Sequence, residues 1–334
     1  MPTIVDPTQW IEELFLRSGD RVSELLKPLT AAPVDPFGRL CATVGAVWPA
    51  HREYLAALRA ALSPRELVHA NWLSDAIMTI SPDLVHVCED YQWLCEVMRD
   101  EQLQFMRTHQ YRLSSFSEVL RAVYENAPFM TRYLNGLLVG RVLWLEQLRM
   151  LVQYADEFLP GNRPGYRHLE IGPGHGILLY LAAQDVRCSE LAALDVSASS
   201  LQATNECLQR LQARASARLI EHDIFCGVPE TSGGWNSIVV SELLEHLEAP
   251  DLALRNLAKA MNRDGRMFIS TPVNCPMPDH IYLFKTPEEV GRLVESCGLK
   301  VIEQRSYLSL GHTEAGARKH RYPIACTLIA VPTH

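Results

Sequence analysis

The sequence predicts an α/β protein in which a seven-stranded, mostly parallel, doubly wound sheet is joined to a large all-helical N-terminal domain. Three observations carry this. Residues 1 to about 160 read as helix after helix, with no strand alternation. The stretch "LPGNRPGYR", Leu159 to Arg167, then sets two prolines and two glycines close together and ends the last helix. Beyond it, short apolar runs alternate with helical segments, the pattern of a sheet covered on both faces. The boundary divides the chain into a helical cap, residues 1–160, and a sheet domain, residues 161–334.

The helical half is punctuated by start signals. Asp6-Pro7 is an N-cap with proline at the first helical position, ahead of "TQWIEELFL". Ser63-Pro64-Arg65-Glu66 repeats that logic and adds a capping-box glutamate. Ser81-Pro82-Asp83 opens a helix whose Leu84, Val87, Cys88, Tyr91, Leu94, Cys95 and Met98 keep helical spacing. A further helical segment runs from about Ala127 to Phe158, with apolar residues on more than one face, as in a helix buried between neighbours.

In the sheet half the strand-like runs are "YRHLEI", "ELAALDV", "ARLIEHDI", "NSIVVSE", "GRMFIST", "LKVIEQRSYL" and "PIACTLIAV". Helical segments fall at about 176–185, 199–214, 250–262 and 286–297. Only the loop "SLGHTEAGARKHRY" separates the last two strands, which allows an antiparallel final pair, since a parallel pair would need a crossover helix.

Composition excludes several functions. The 334 residues are 48% hydrophobic and 21% charged, ordinary for a globular chain with a large core. Net charge is −8, so no basic field recruits nucleic acid or anionic lipid. The short basic run "ARKHR", Ala317 to Arg321, reads as a solvated loop. The start shows neither the basic nor the apolar region of a signal peptide. "NGLLVGRVLWLEQL" comes nearest to a membrane span, but Arg141 and Glu146 interrupt it. The nine cysteines form no CxxC pair and read as reduced thiols of a cytoplasmic protein.

The chemistry starts at "HLEIGPGHG", where a strand ends in glycines and a helix begins. An open α/β sheet binds ligands there, at the carboxyl ends of its strands. Gly172, Gly174 and Gly176 permit a tight turn and close approach of backbone to ligand, with Glu170 leading the run. The dinucleotide pattern GxGxxG would need glycine at 177, where Ile177 stands. Asp195, with Val196 after it, ends the second strand 23 residues beyond Gly172 and is placed to accept from ribose hydroxyls. Asp223 ends the third strand, where its carboxylate can accept from an adenine amine while Ile224 packs on the ring. Ser241, Glu242, Glu245 and His246 follow the fourth.

Together "EIGPGHG", Asp195, "HDI" and "SELLEHL" resemble the class I S-adenosylmethionine (SAM)-dependent methyltransferases over about residues 160 to 332. The resemblance implies a Rossmann-like sheet with an antiparallel last strand and SAM as cofactor. It also implies that Gly172 and Gly174 face the methionine moiety, Asp195 the ribose, and Asp223 with Ile224 the adenine. Glu170, Gly176, Val196 and Ser241 complete the expected cofactor site.

For the reaction, methyl transfer needs an acceptor aligned opposite the departing sulfur and sometimes a base. His246 is a candidate base. The proline-stiffened loop "TPVNCPMPDHIYLF" adds Asn274, Asp279, His280 and Tyr282. His246, Asp279 and His280 are metal-ligand types, but their spacing forms no tight motif, and no metal is expected. Tyr133 and Asn135, on the helix before the glycine turn, could reach the methionine end of SAM, whereas His175 in the turn is expected to be exposed. A helical half of this size suits an enclosed small-molecule substrate, a homodimer interface, or both. The helical cap also resembles the bacterial azetidine-2-carboxylate synthases, which cyclise SAM itself. In that reading Tyr180 and Asn135 orient the attacking amine. A third reading is a non-catalytic SAM-binding subunit.

Overall fold

The computed structural model describes residues 35–229 and 233–333, so the Asp6-Pro7 start lies outside the described residues. The helical half runs through α1 (Pro36–Val47), α2 (Arg52–Ala61), α3 (Pro64–Ile80) and α4 (Leu84–Thr108). A short α5 (Phe116–Val119) continues into a π-helical turn, Leu120–Tyr124, and is followed by α6 (Ala127–Leu143) and α7 (Leu145–Gln153). The start signals work as read. The Ser63 hydroxyl accepts from the Glu66 amide at 3.3 Å, and Glu66 accepts from the Ser63 amide at 2.7 Å. Asp83 caps α4, accepting from the His86 amide at 3.1 Å.

The segment from Ala127 to Phe158 is not one helix. It breaks at Trp144, whose ψ of 114° leaves the helical region. The Trp144 indole lies over Gly140, where a Cβ would come within 2.7 Å of the ring. No proline stands at the break, and Gly140 leaves room for the indole that occupies it.

The sheet has seven strands in the order β3-β2-β1-β4-β5-β7-β6. They are β1 (Tyr166–Ile171), β2 (Cys188–Asp195), β3 (Arg218–Glu221), β4 (Trp235–Ser241), β5 (Met261–Val273), β6 (Leu299–Leu308) and β7 (Ile324–Pro332). Strand β7 is antiparallel to both β5 and β6, as the short last connection allows. The connecting helices are α8 (Ile177–Gln184), α9 (Ala198–Arg210), α10 (Pro250–Ala260) and α11 (Pro287–Ser296). The last loop carries a short α12 (Glu314–His320), so part of the basic run is helical. Arg318 there binds Glu288 at 2.6 Å and Glu314 at 2.8 Å, pairings that a reading of local charge alone does not supply.

The core is continuous across the two halves. Phe37 and Tyr91 of the helices, Tyr154 and Phe158 of the turn after α7, and Val239, Phe268 and Ile329 of the sheet form one buried cluster. Ile238 and Val240, which alternate with Val239, face the opposite side and pack with Leu254 of α10 and Val290 of α11. The helical half therefore covers one face of the sheet together with α8 and α9. No helix among the described residues is long and apolar enough to cross a membrane.

Candidate active site

A cavity of about 1290 Å³ lies between the carboxyl ends of the strands and the overlying helices. Its two ends are built differently. At one end the backbone turns sharply between β1 and α8, with φ of +64° at Gly172, +55° at Gly174 and +79° at Gly176. L-residues rarely adopt that region, which explains the glycines. Gly172 and Gly174 line the cavity. Gly176 does not; a Cβ on it would meet the Thr204 methyl at 2.9 Å, so it brings α9 close to the turn instead of meeting a ligand.

Glu170, at the end of β1, is 2% exposed and lines the cavity. Burial pushes its carboxyl up to about 8, with Arg141 of α6 pulling the other way. One of its oxygens has no hydrogen-bond partner. His175 also lines the cavity and is half-buried, not exposed as expected. Burial, with Arg141 adding to it, pushes its imidazole down to about 4. Arg141 lines the same end, and sequence reading missed it. The signal was present: an arginine interrupts an apolar helix, which is uncommon unless the charge has work at a site.

Asp195 ends β2 as the sequence places it, whereas β3 stops at Glu221 and Asp223, two residues on, caps the turn Ile224–Cys226. Asp195 lines the cavity and accepts from the Ser197 amide at 2.9 Å and the Ser200 hydroxyl at 2.6 Å. Burial raises its carboxyl, against those hydrogen bonds. Each oxygen keeps a lone pair for a further donor. Asp223 accepts from the Phe225 amide at 2.8 Å through one oxygen, and Ile224 is buried beside it. Val196 and Ser241 also line the cavity, and the Ser241 hydroxyl pairs with Ser270 at 2.9 Å.

The other end is a knot of polar side chains from distant segments. Asp279, 4% exposed, accepts from the Tyr133 hydroxyl at 2.6 Å, with the Tyr124 hydroxyl at 3.5 Å. Tyr133 thus serves this end rather than the glycine turn. His246 Nδ1 faces the Asp279 carbonyl at 3.0 Å, and His280 Nδ1 faces the Cys275 carbonyl at 2.7 Å. Burial opposes protonation of His246, but Asp279 and Glu245 outweigh it and raise its affinity for a proton. Burial and His246 push His280 down to about 3. Glu245 is fully buried and accepts from the Thr271 hydroxyl at 2.8 Å. Glu242, with φ of +52°, accepts from Gln147 of α7 at 2.9 Å and Ser270 at 2.9 Å.

Three expected catalytic residues do not line this cavity. Asn135 donates to the buried Asp90 at 2.9 Å. At 3.6 residues per turn it lies roughly 200° around α6 from Tyr133, so the two cannot share a face. Tyr180 stacks on Trp72, with ring centres 5.9 Å apart, and accepts from Gln184. Tyr282 packs on Phe284, and its backbone amide, not its ring, serves the site by donating to the Glu245 carbonyl at 2.9 Å. Asn274 is likewise structural, donating to the Lys285 carbonyl at 3.0 Å.

The sequence profile of the family described as "Methyltransferase domain" matches residues 144–304. No curated protein sequence matches the chain. Among solved structures, the mitomycin 7-O-methyltransferase MmcR is similar at 14% identity, over 77% of this chain and 73% of that one, with a TM-score of 0.50. The cyclase SpnF is 14% identical over 55% of this chain and 80% of its own, with a TM-score of 0.45. The N-methyltransferase NodS of Bradyrhizobium japonicum WM9, in complex with S-adenosylhomocysteine, is 17% identical over 56% of this chain and 85% of its own, with a TM-score of 0.42. With the 3-2-1-4-5-7-6 sheet and the glycine turn at its expected strand end, the chain is a SAM-dependent enzyme built on a class I methyltransferase domain.

Proposed function

We propose that the protein transfers the methyl group of SAM to a small acceptor enclosed beneath the helices. The observation that carries this is the single cavity of about 1290 Å³ joining the glycine turn to the polar knot. Sites for one drug-sized ligand span roughly 300–1,000 Å³, so this one has room for SAM and a second molecule. In this reading Gly172 and Gly174 lie against the methionine moiety, with Glu170 and Arg141 near its charged groups. Asp195 holds the ribose, and Asp223 with Ile224 the adenine. The acceptor lies toward Glu245, His246, Asp279 and His280, where its proton leaves as its lone pair attacks the methyl carbon. The sulfonium departs as neutral S-adenosylhomocysteine.

Intramolecular cyclisation of SAM is the weaker reading, because Asn135 and Tyr180, on which it relied to orient the amine, both point elsewhere. One experiment separates the two. Purified protein is incubated with SAM alone and then with a panel of small hydroxyl and amine acceptors, and adenosine products are identified by mass spectrometry. Methyl transfer predicts intact SAM in the first case and S-adenosylhomocysteine with an acceptor. Methylthioadenosine that scales with enzyme, is lost in Asp195→Ala and needs no acceptor would instead establish cyclisation.

A further inference from the structure

The geometry points to a divalent transition-metal site on Glu245, His246 and His280 at the acceptor end of the cavity. One ligand atom from each of these residues lies within 4.8 Å of the others. The two histidines are those named from sequence, but the carboxylate is Glu245 rather than Asp279; the turn after β4 supplies two members and the loop after β5 the third. Asp279 is not among them; its carboxylate is taken by Tyr133 at 2.6 Å.

Two features fit an ion rather than a packed polar cluster. First, both imidazoles turn Nδ1 to a backbone carbonyl, at 3.0 Å for His246 and 2.7 Å for His280. Each Nδ1 then carries the proton, and each Nε2 presents a lone pair. Metal-binding histidines are held in that way. Second, Glu245 Oε1 is buried and has no hydrogen-bond partner, while Oε2 is satisfied by Thr271. A buried acceptor without a donor is costly, and a cation would satisfy it. His280 Nε2 stands 4.0 Å from that oxygen, too far for a hydrogen bond and near enough to share an ion after a small closure.

Two imidazoles and one carboxylate suit manganese, iron, cobalt or zinc better than magnesium or calcium. Three protein ligands leave coordination positions open toward the cavity. The role of the ion rests on the methyl-transfer reading. A bound acceptor hydroxyl becomes more acidic and loses its proton to solvent. Its oxygen then forms the bond to the methyl carbon as the carbon–sulfur bond breaks.

The test uses full-length protein freed of any affinity tag and stripped with a chelator, titrated with Co²⁺ and followed by visible absorption and calorimetry. One ion per chain should bind. His280→Ala and Glu245→Gln should each weaken it by more than the roughly 10–100-fold that outer partners of a metal site are worth. SAM affinity, measured on the same samples, should persist and so report an intact fold. Binding well below one ion per chain, or binding unchanged in both variants, would overturn the site. Loss of SAM affinity in the unmodified protein would damage the methyl-transfer reading instead, so the two failures are distinguishable.

Discussion

The two ends of the cavity are made from different materials. At the glycine turn the backbone does the shaping: positive φ at three glycines and carboxylates fixed at the end of β2 and just past β3. At the polar knot the backbone is strained at Glu242 and Asn274, with φ of +52° and +50°, but the groups that meet there are side chains of α6, the π-helical turn, the turn after β4 and the loop after β5. A backbone-built site occupies a short stretch of chain. A side-chain site exists only after segments more than a hundred residues apart have met, as Tyr133 and Asp279 do.

That contrast can be broken by substitution. The largest effect should come from adding a single carbon at the backbone-built end. Gly176→Ala places a Cβ at φ +79° and 2.9 Å from the Thr204 methyl. Strain and overpacking together should lower stability by about 2–5 kcal/mol. Denaturant unfolding checks this, and an unchanged midpoint would mean that the turn is not constrained as described.

Next is the buried carboxyl of the same end. Glu170 has its pKa raised to about 8 when folded, above its unfolded value, so the folded state holds a proton that the unfolded state gives up. Stability should therefore fall as pH rises from about 4.5 toward 8. Glu170→Gln should remove that fall, stabilising the ligand-free protein by up to a few kcal/mol near pH 8 and hardly at all near pH 4.5. Unfolding curves at the two pH values decide it, and a parallel shift at both would contradict the buried neutral carboxyl.

At the side-chain end one oxygen should matter more than one carbon. Tyr133→Phe removes the short donor to Asp279 and leaves that buried carboxylate under-satisfied. A loss of about 1–3 kcal/mol is expected, with SAM affinity kept. Asn135→Ala should also weaken the fold through Asp90, by about 1.5–3 kcal/mol at most, without touching turnover. A specific loss of turnover in a folded Asn135→Ala protein would return that residue to the site.

The same contrast explains what could be read in advance. Strands β1 and β6 match the sequence reading at both ends, because alternation and flanking breakers are local signals. Asp195 follows from a strand end alone, and Asp223 lies two residues past one. Asn135, Tyr180 and Tyr282 were misplaced because helical or loop position tells which residues are near a site, not which face meets it. Gly176 shows the reverse: a residue of the right motif whose role is to pack a helix. Of the metal-type cluster, His246 and His280 were named from sequence, but with Asp279 in place of Glu245, because 34 positions separate the two histidines and no ligand spacing picks the carboxylate.

The claim that the cofactor end and the acceptor end are separate is tested most directly by calorimetric titration of SAM into the unmodified protein, Asp195→Ala and Asp279→Asn. Asp195→Ala should weaken binding by about 1.5–3 kcal/mol, the scale of hydrogen bonds to a charged group. Asp279→Asn, which keeps an acceptor for Tyr133, should bind SAM as the unmodified protein does. Unchanged affinity in Asp195→Ala, or an equal loss in Asp279→Asn, would contradict the account.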